Sequence, residues 1–201
     1  MKEHHLVMIP GLNDQEFFQK KAMDFVAWYW KRYGVGCHVV APNWEDGEPF
    51  APKLKSVLKE IDLLAGKGYD VSIVGVSAGG SVALNAFAMR KDVVKGVVNG
   101  TGRLKAGVGV RPSLEWAARN SRSFKESVLM FEKKNEQTLS RNDRKRVMTL
   151  RPVLDEIVPS STVAVSGADN RVMPVVGHLL GGAFVGLVLG GKIVAFLNGC
   201  K

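Results

Sequence analysis

Only two cysteines, Cys37 and Cys200, occur in 201 residues, and they bracket most of the chain. One distant pair excludes a disulfide framework, so both read as free thiols of a reducing compartment. The opening Met-Lys-Glu-His-His leads directly into an apolar run with no secretory signal, and the expected location is cytoplasmic. Metal-binding spacings are missing as well. There is no His-Glu-x-x-His and no paired cysteine ligands, so no metal is expected. No Gly-x-x-x-x-Gly-Lys-Ser/Thr removes the P-loop, and the glycines between 75 and 80 are spaced wrongly for Gly-x-Gly-x-x-Gly. No cofactor is expected. The one membrane-like stretch, Leu179 to Gly191, stops at Lys192. It falls short of the roughly 20 residues a bilayer needs and predicts a buried helix, not a transmembrane segment.

Acidic residues are scarce in one half. Residues 1–100 hold 12 Lys+Arg against 11 Asp+Glu, whereas residues 101–201 hold 16 against 8. Nearly all of the excess lies between Arg103 and Arg151. A basic segment can attract an anionic substrate, an acidic lipid surface or nucleic acid, or can simply be a solvated surface. No nucleic-acid partner is expected.

What the chain does have is alternation. His4 to Ile9 reads as a strand ended by Pro10-Gly11. Asn13-Asp-Gln-Glu16 has capping-box spacing, and the helix it opens places Phe18, Ala22, Phe25, Val26, Tyr29 and Tyr33 on one face. Cys37 to Ala41 is a second strand. Pro52 opens a helix with a buried stripe of Leu54, Val57, Leu58, Ile61 and Ala65. Val71 to Val76, Val93 to Val98 and Lys145 to Leu150 are further strands, and Thr162 to Val165 another. A closing apolar helix runs from His178 to about Leu197. Strands alternating with amphipathic helices predict an α/β fold: a three-layer sandwich whose mainly parallel sheet of about six strands carries helices on both faces. The expected organisation is one domain over 1–201, with a basic, mostly helical insertion at about 101–145 forming a lid or substrate-side wall.

Gly75-Val-Ser77-Ala-Gly79 falls between the strand Val71–Val76 and a helix beginning near Ser81. A Gly-x-Ser-x-Gly at a strand-to-helix turn exposes its serine at a sharp apex. A serine hydroxyl becomes a nucleophile only with a histidine to take its proton and an acid to orient that histidine. Of the four histidines only His178 follows Ser77; His4, His5 and His38 lie at the starts of the first two strands. Asp155 is the favoured acid, because it stands just past a strand and leaves room for one more strand before His178. Asp169 is the alternative acid, and Glu156 fits less well than its neighbour. Oxyanion donors are expected from the backbone N–H of Ala78, directly after the serine, and of Leu12 in the loop Pro10–Asn13. Gly11, Trp44 and Phe50 are the expected pocket residues, with 103–135 completing the wall.

These motifs together, Ile-Pro-Gly-Leu, Gly-Val-Ser-Ala-Gly-Gly, Asp-Glu-Ile-Val-Pro and Val-Gly-His, resemble those of the α/β-hydrolases over almost the whole chain. The resemblance implies a minimal version of that fold and hydrolysis of an ester, thioester or amide through an acyl-serine. It departs from many relatives in having Pro10 where they carry a histidine before the oxyanion-loop glycine, and in starting at what would be their third strand. The expected partner is a small acyl substrate, and the basic segment would suit an anionic one. An acyltransferase using the same residues, and a non-catalytic protein of this fold that binds an anionic partner, are the alternatives.

Overall fold

The computed structural model describes residues 2–200. In chain order its elements are β1 (His4–Ile9), α1 (Phe17–Trp30), β2 (Val35–Val39), α2 (Phe50–Gly66), β3 (Asp70–Val76), α3 (Ala78–Met89) and β4 (Val94–Gly100). There follow α4 (Leu114–Ala117), α5 (Arg122–Met130), α6 (Arg141–Lys145), β5 (Val147–Leu154), β6 (Asp169–Val176), α7 (His178–Leu187) and α8 (Gly190–Gly199). The six strands form one sheet in the order β2-β1-β3-β4-β5-β6, and every neighbouring pair is parallel.

This order follows from crossover handedness. The chain steps from β1 to β2 in one direction, then returns past β1 to β3 and onward in the other. Right-handed crossovers therefore place α1 on one face and α2, α3 and α5 on the opposite one. Two apolar layers record the division. Val7, Ile9, Ile73 and Val97 pack against α2, α3 and α5. Leu6, Met8, Val74 and Val98 pack against α1, α7 and α8. The direction of strand addition reverses between β1 and β3, and the carboxyl ends of two such strands border a crevice suited to ligands.

Several local expectations are corrected. The capping box at Asn13 does not form. Asn13 takes a left-handed φ of 62°, its carbonyl accepts the N–H of Glu16, and α1 begins at Phe17 without a side-chain cap. The predicted buried stripe of α1 is rotated: Phe18 is 83 % exposed and Phe25 50 %, while Ala27 and Trp30 are buried. The anchor is polar, since Trp30 Nε1 donates to the Gly186 carbonyl at 2.6 Å, drawing α1 against α7. Thr162 to Val165 is not a strand. Ser160–Thr162 is a single 3-10 turn, and the side chain of Asn170 holds both N–H and carbonyl of Val165. The sixth strand lies further on, at Asp169–Val176. The closing apolar stretch is two helices bent by 66° between α7 and α8, and among the described residues no single helix is long and apolar enough to cross a membrane.

Three arginines of the basic segment are engaged within the fold. Arg103 is buried and its guanidinium donates to the carbonyls of Lys105, Ala106 and Pro112. Arg144 donates to the carbonyls of Glu136, Leu139 and Ser166. Arg146 joins Asp143 and the carbonyls of Lys91 and Val94. Phe124, Val128 and Phe131 enter the core beside α3, so the stretch from Arg122 onward is a structural layer, and only its beginning reaches the site.

Candidate active site

The turn after β3 is tight because two glycines permit it. A Cβ on Gly75 would lie 2.2 Å from the Gly79 carbonyl oxygen, and one on Gly79 would lie 2.2 Å from that of Ile9. Any side chain there would push β1, β3 and α3 apart. Ser77 sits at the apex with φ 54° and ψ −125°, a conformation that L residues rarely adopt. The Ser77 N–H donates to the Gly100 carbonyl at 2.8 Å, which ties the strained residue to the end of β4. The strain is thus held by three strands.

His178 is the first residue of α7, and it follows Gly177, whose φ of 96° suits glycine. Its Nε2 lies 2.8 Å from Ser77 Oγ, and its Nδ1 lies 2.9 Å from Asp155 Oδ2. Asp155 is fixed from behind by the N–H groups of Ile157 and Val158, both donating to Oδ1. Burial alone would raise the Asp155 carboxyl, but the His178 ring and these two N–H groups outweigh it and hold the group below the ordinary carboxylate range. A carboxylate that stays ionised favours the tautomer with a proton on Nδ1, which leaves Nε2 free to accept from the serine. The arrangement is therefore able to take a proton from Ser77 and stabilise the resulting imidazolium.

Asp169 is not in this row. It opens β6, pairs with Arg171 at 2.6 Å and makes no hydrogen bond with His178. Glu156, set aside as a poorer acid, has a separate position: its carboxylate accepts the backbone N–H of His178 at 3.0 and 3.2 Å, at the start of α7. Nothing in the sequence distinguishes that cap from any other surface glutamate.

Gly11 stands against the serine; a Cβ there would be 2.8 Å from Ser77 Cβ and 3.2 Å from Oγ. Ala78 is the first residue of α3, where N–H groups lack intrahelical partners. Among the described residues no turn or loop hydrogen bond uses the N–H of Leu12 or Ala78.

A cavity of about 580 Å³ opens on Ser77 and His178. Its inner wall is apolar, with Met8, Val26, Trp30, Val74, Val76 and Val185 from the α1–α7 face of the sheet. Its outer wall carries Glu45, Trp116, Arg119 and Asn120. Arg119 lies over the Trp116 ring, 4.1 Å from its centroid. Thr101, at φ 60° directly after β4, also borders the cavity, and its buried Oγ1 has no hydrogen-bond partner. Trp44 and Phe50 do not line it. Both are buried in the core at 1 % exposure. Trp44 Nε1 donates to the Pro10 carbonyl, and its own carbonyl accepts from Ser121, so this ring supports the loop containing Gly11 from beneath. Phe50 starts α2 and is held by Glu126 of α5. Their polar surroundings in sequence conceal a long-range role in joining this loop to α5.

A second Ser–His pair shows what distinguishes the first. His4 bridges Ser72 Oγ at 2.9 Å and Asn198 at 2.6 Å. Ser72 is fully buried mid-strand, and the partner is a neutral amide. Among the described residues only Ser77 combines the hydrogen-bonded histidine with a carboxylate, an apical turn and a cavity.

No protein-family model matches the chain, and no curated protein sequence does. Solved structures do. One of the two metagenome-derived lipolytic enzymes LipS and LipT matches with a TM-score of 0.71 at 12% identity, over 98% of this chain and 94% of its own. Est1E from Butyrivibrio proteoclasticus matches with a TM-score of 0.66 at 14% identity, over 98% and 89%. A hydrolase from Oleispira antarctica matches with a TM-score of 0.62 at 12% identity, over 99% and 92%. At such identities the likeness is one of fold, and it extends over nearly the whole chain.

Proposed function

We propose that this chain, an α/β-hydrolase in its fold, is a serine hydrolase that cleaves a carboxylic ester through an acyl-serine intermediate. The observation that carries the reading is the unbroken hydrogen-bonded row Asp155–His178–Ser77, ending on a strained serine at the mouth of a largely apolar cavity. Fold alone would not choose this function, because unrelated activities share folds.

In this reading His178 Nε2 removes the Ser77 hydroxyl proton as Oγ bonds to the substrate carbonyl carbon. The carbonyl π electrons move to oxygen, and the oxyanion is held by the N–H groups of Leu12 and Ala78. The C–O bond to the leaving group breaks as the intermediate collapses, and His178 returns the proton to the departing alcohol. Water then repeats the sequence on the acyl-serine, with His178 as base, and releases the acid and free Ser77. Asp155 keeps its charge throughout and orients the ring. The reaction consumes one water and needs no cofactor. The apolar inner wall suits the acyl chain, and the outer wall suits the leaving group. The free thiols, Cys37 half-buried and Cys200 buried, fit a reducing compartment such as the cytoplasm. An acyltransferase would share every step except the acceptor, and product analysis with a competing alcohol separates the two.

Labelling with a fluorophosphonate probe tests the reading. Wild type is expected to label at Ser77. Ser77→Ala should not label, and His178→Ala and Asp155→Asn should label at least about 100-fold more slowly. A folded wild type that does not label overturns it.

A further inference from the structure

We propose that the outer face of α1, with the exposed end of α7, docks this protein on an anionic lipid surface. Single exposed apolar side chains are ordinary, but contiguous groups of them mark contact surfaces. On α1, Phe17 is 67 % exposed, Phe18 83 %, Phe25 50 % and Trp28 64 %. At 100° per residue all four fall within about 100° of helix surface, so they form one aromatic face. Leu179 and Leu180, at the start of α7, are 78 % and 64 % exposed. The two helices pack against each other and are joined by the Trp30–Gly186 hydrogen bond.

Charge selects the occupant. The α1 face and the residues flanking it carry Lys20, Lys21, Lys31 and Arg32 against two acids, Glu16 and Asp24. Lys21 lies over the Phe17 ring and Arg32 over that of Tyr29, which leaves both cations beside the aromatic face. Aromatic and basic residues together on one helix face are what binding in the plane of an anionic bilayer requires: rings enter the headgroup region while ammonium and guanidinium groups meet phosphates. A second copy is disfavoured by the same charges, since a two-fold contact would set this basic face against itself. In the basic stretch beyond Arg103 the exposed cations are not set among a comparable group of exposed aromatic side chains, and Arg103, Arg144 and Arg146 are turned onto internal partners.

Continuity with the cavity gives the docking a use. Leu179, exposed at the start of α7, also lines the cavity, whereas Ala22, Met23 and Val26 border it from the side of α1 opposite the aromatic face. An acyl chain leaving the lipid would enter the cavity beside Leu179. That last step rests on the ester-hydrolase reading; the docking itself does not.

The test is co-flotation of the full chain with vesicles of phosphatidylcholine alone or mixed with phosphatidylglycerol. Binding to the anionic vesicles is expected, with a blue shift of Trp28 emission and strong weakening at about 0.5 M salt. The double variants Phe18→Ser/Phe25→Ser and Lys20→Glu/Lys21→Glu should each bind at least about tenfold more weakly. Every one of these positions is exposed, and unchanged thermal unfolding will show that the variants fold. The proposal is overturned by absence of flotation, by variants that bind like wild type, or by a wild-type dimer that the aromatic variant converts to monomer. Flotation is read without hydrolysis, so a failure here leaves the ester reading standing, and a failure to label Ser77 leaves the docking standing.

Discussion

The carboxylate of Glu156 accepts the backbone N–H of His178, while Asp155, its neighbour in sequence, accepts from the ring of the same residue. Two adjacent acids thus fix one histidine by its backbone and by its imidazole. Glu156 also caps the first turn of α7, where a negative charge is favoured. Under the proposed mechanism Glu156 is a positioning residue. Glu156→Ala is expected to lower kcat about five- to tenfold with little change in KM, through loss of near-attack alignment. Glu156→Gln retains an acceptor oxygen and should restore most of the rate. Equal defects in the two variants would remove this role.

Asp155 and Asp169 can be separated directly. Asp155→Asn forces the wrong tautomer on His178 and should lower kcat by about three to four orders of magnitude. Asp169→Asn breaks only the Arg171 pair, which lies at the surface and is worth less than about 1 kcal/mol. It should leave kcat/KM within about twofold of wild type. Steady-state kinetics on one short-chain ester decides between them.

Gly11 offers a test of the proposed oxyanion loop. A Cβ at 2.8 Å from Ser77 Cβ requires either the loop or the serine to move. The loop is held by Trp44 through Pro10, so the movement falls on the site. Gly11→Ala is expected to keep its fold and to lose at least about tenfold in kcat/KM, in the range of a displaced oxyanion donor. Normal activity would mean that this loop does not approach the reacting carbonyl.

What could be read from sequence was what is local or ordered along the chain. Ser77 was legible because strand, turn glycines and helix are contiguous. Asp155 and His178 were legible because both follow β strands near the carboxyl edge, in an order that admits one intervening strand. That strand itself was misplaced. Thr162 to Val165 looks more strand-like than Asp169 to Val176, yet the real edge strand begins Asp-Asn-Arg and tolerates Pro174, because one side of an edge strand needs no ladder partner. The tertiary aromatics were illegible for a similar reason. Trp44 lies in a polar loop but is buried by Asp14, Pro10 and Ser121, whereas Phe18 and Phe25 have helical spacing but face outward. Periodicity locates an apolar face; it does not say whether the protein or something else covers it.

Acid should weaken the fold by a path that avoids the candidate active site. Asp143 caps α6 through a reciprocal bond with Ser140 and receives Arg146 at 2.6 Å. Its burial would raise the carboxyl, but Ser140, Arg146 and the nearby Lys91 outweigh that and bring it from 3.8 to about 2. The folded value is the lower one, so Asp143 stabilises the fold above the unfolded value, and this contribution fades as pH falls through about 4 toward 2. Arg146 also holds the carbonyls of Lys91 and Val94, so loss of the pair loosens the approach to β4 and β5. Asp143→Asn should therefore lower stability at pH 7 by at most about 2 kcal/mol, and the difference from wild type should shrink steadily as pH approaches about 2. Urea midpoints for both proteins at several pH values measure it. A constant difference across that range would show that the Asp143 charge contributes nothing and that only its capping bonds matter.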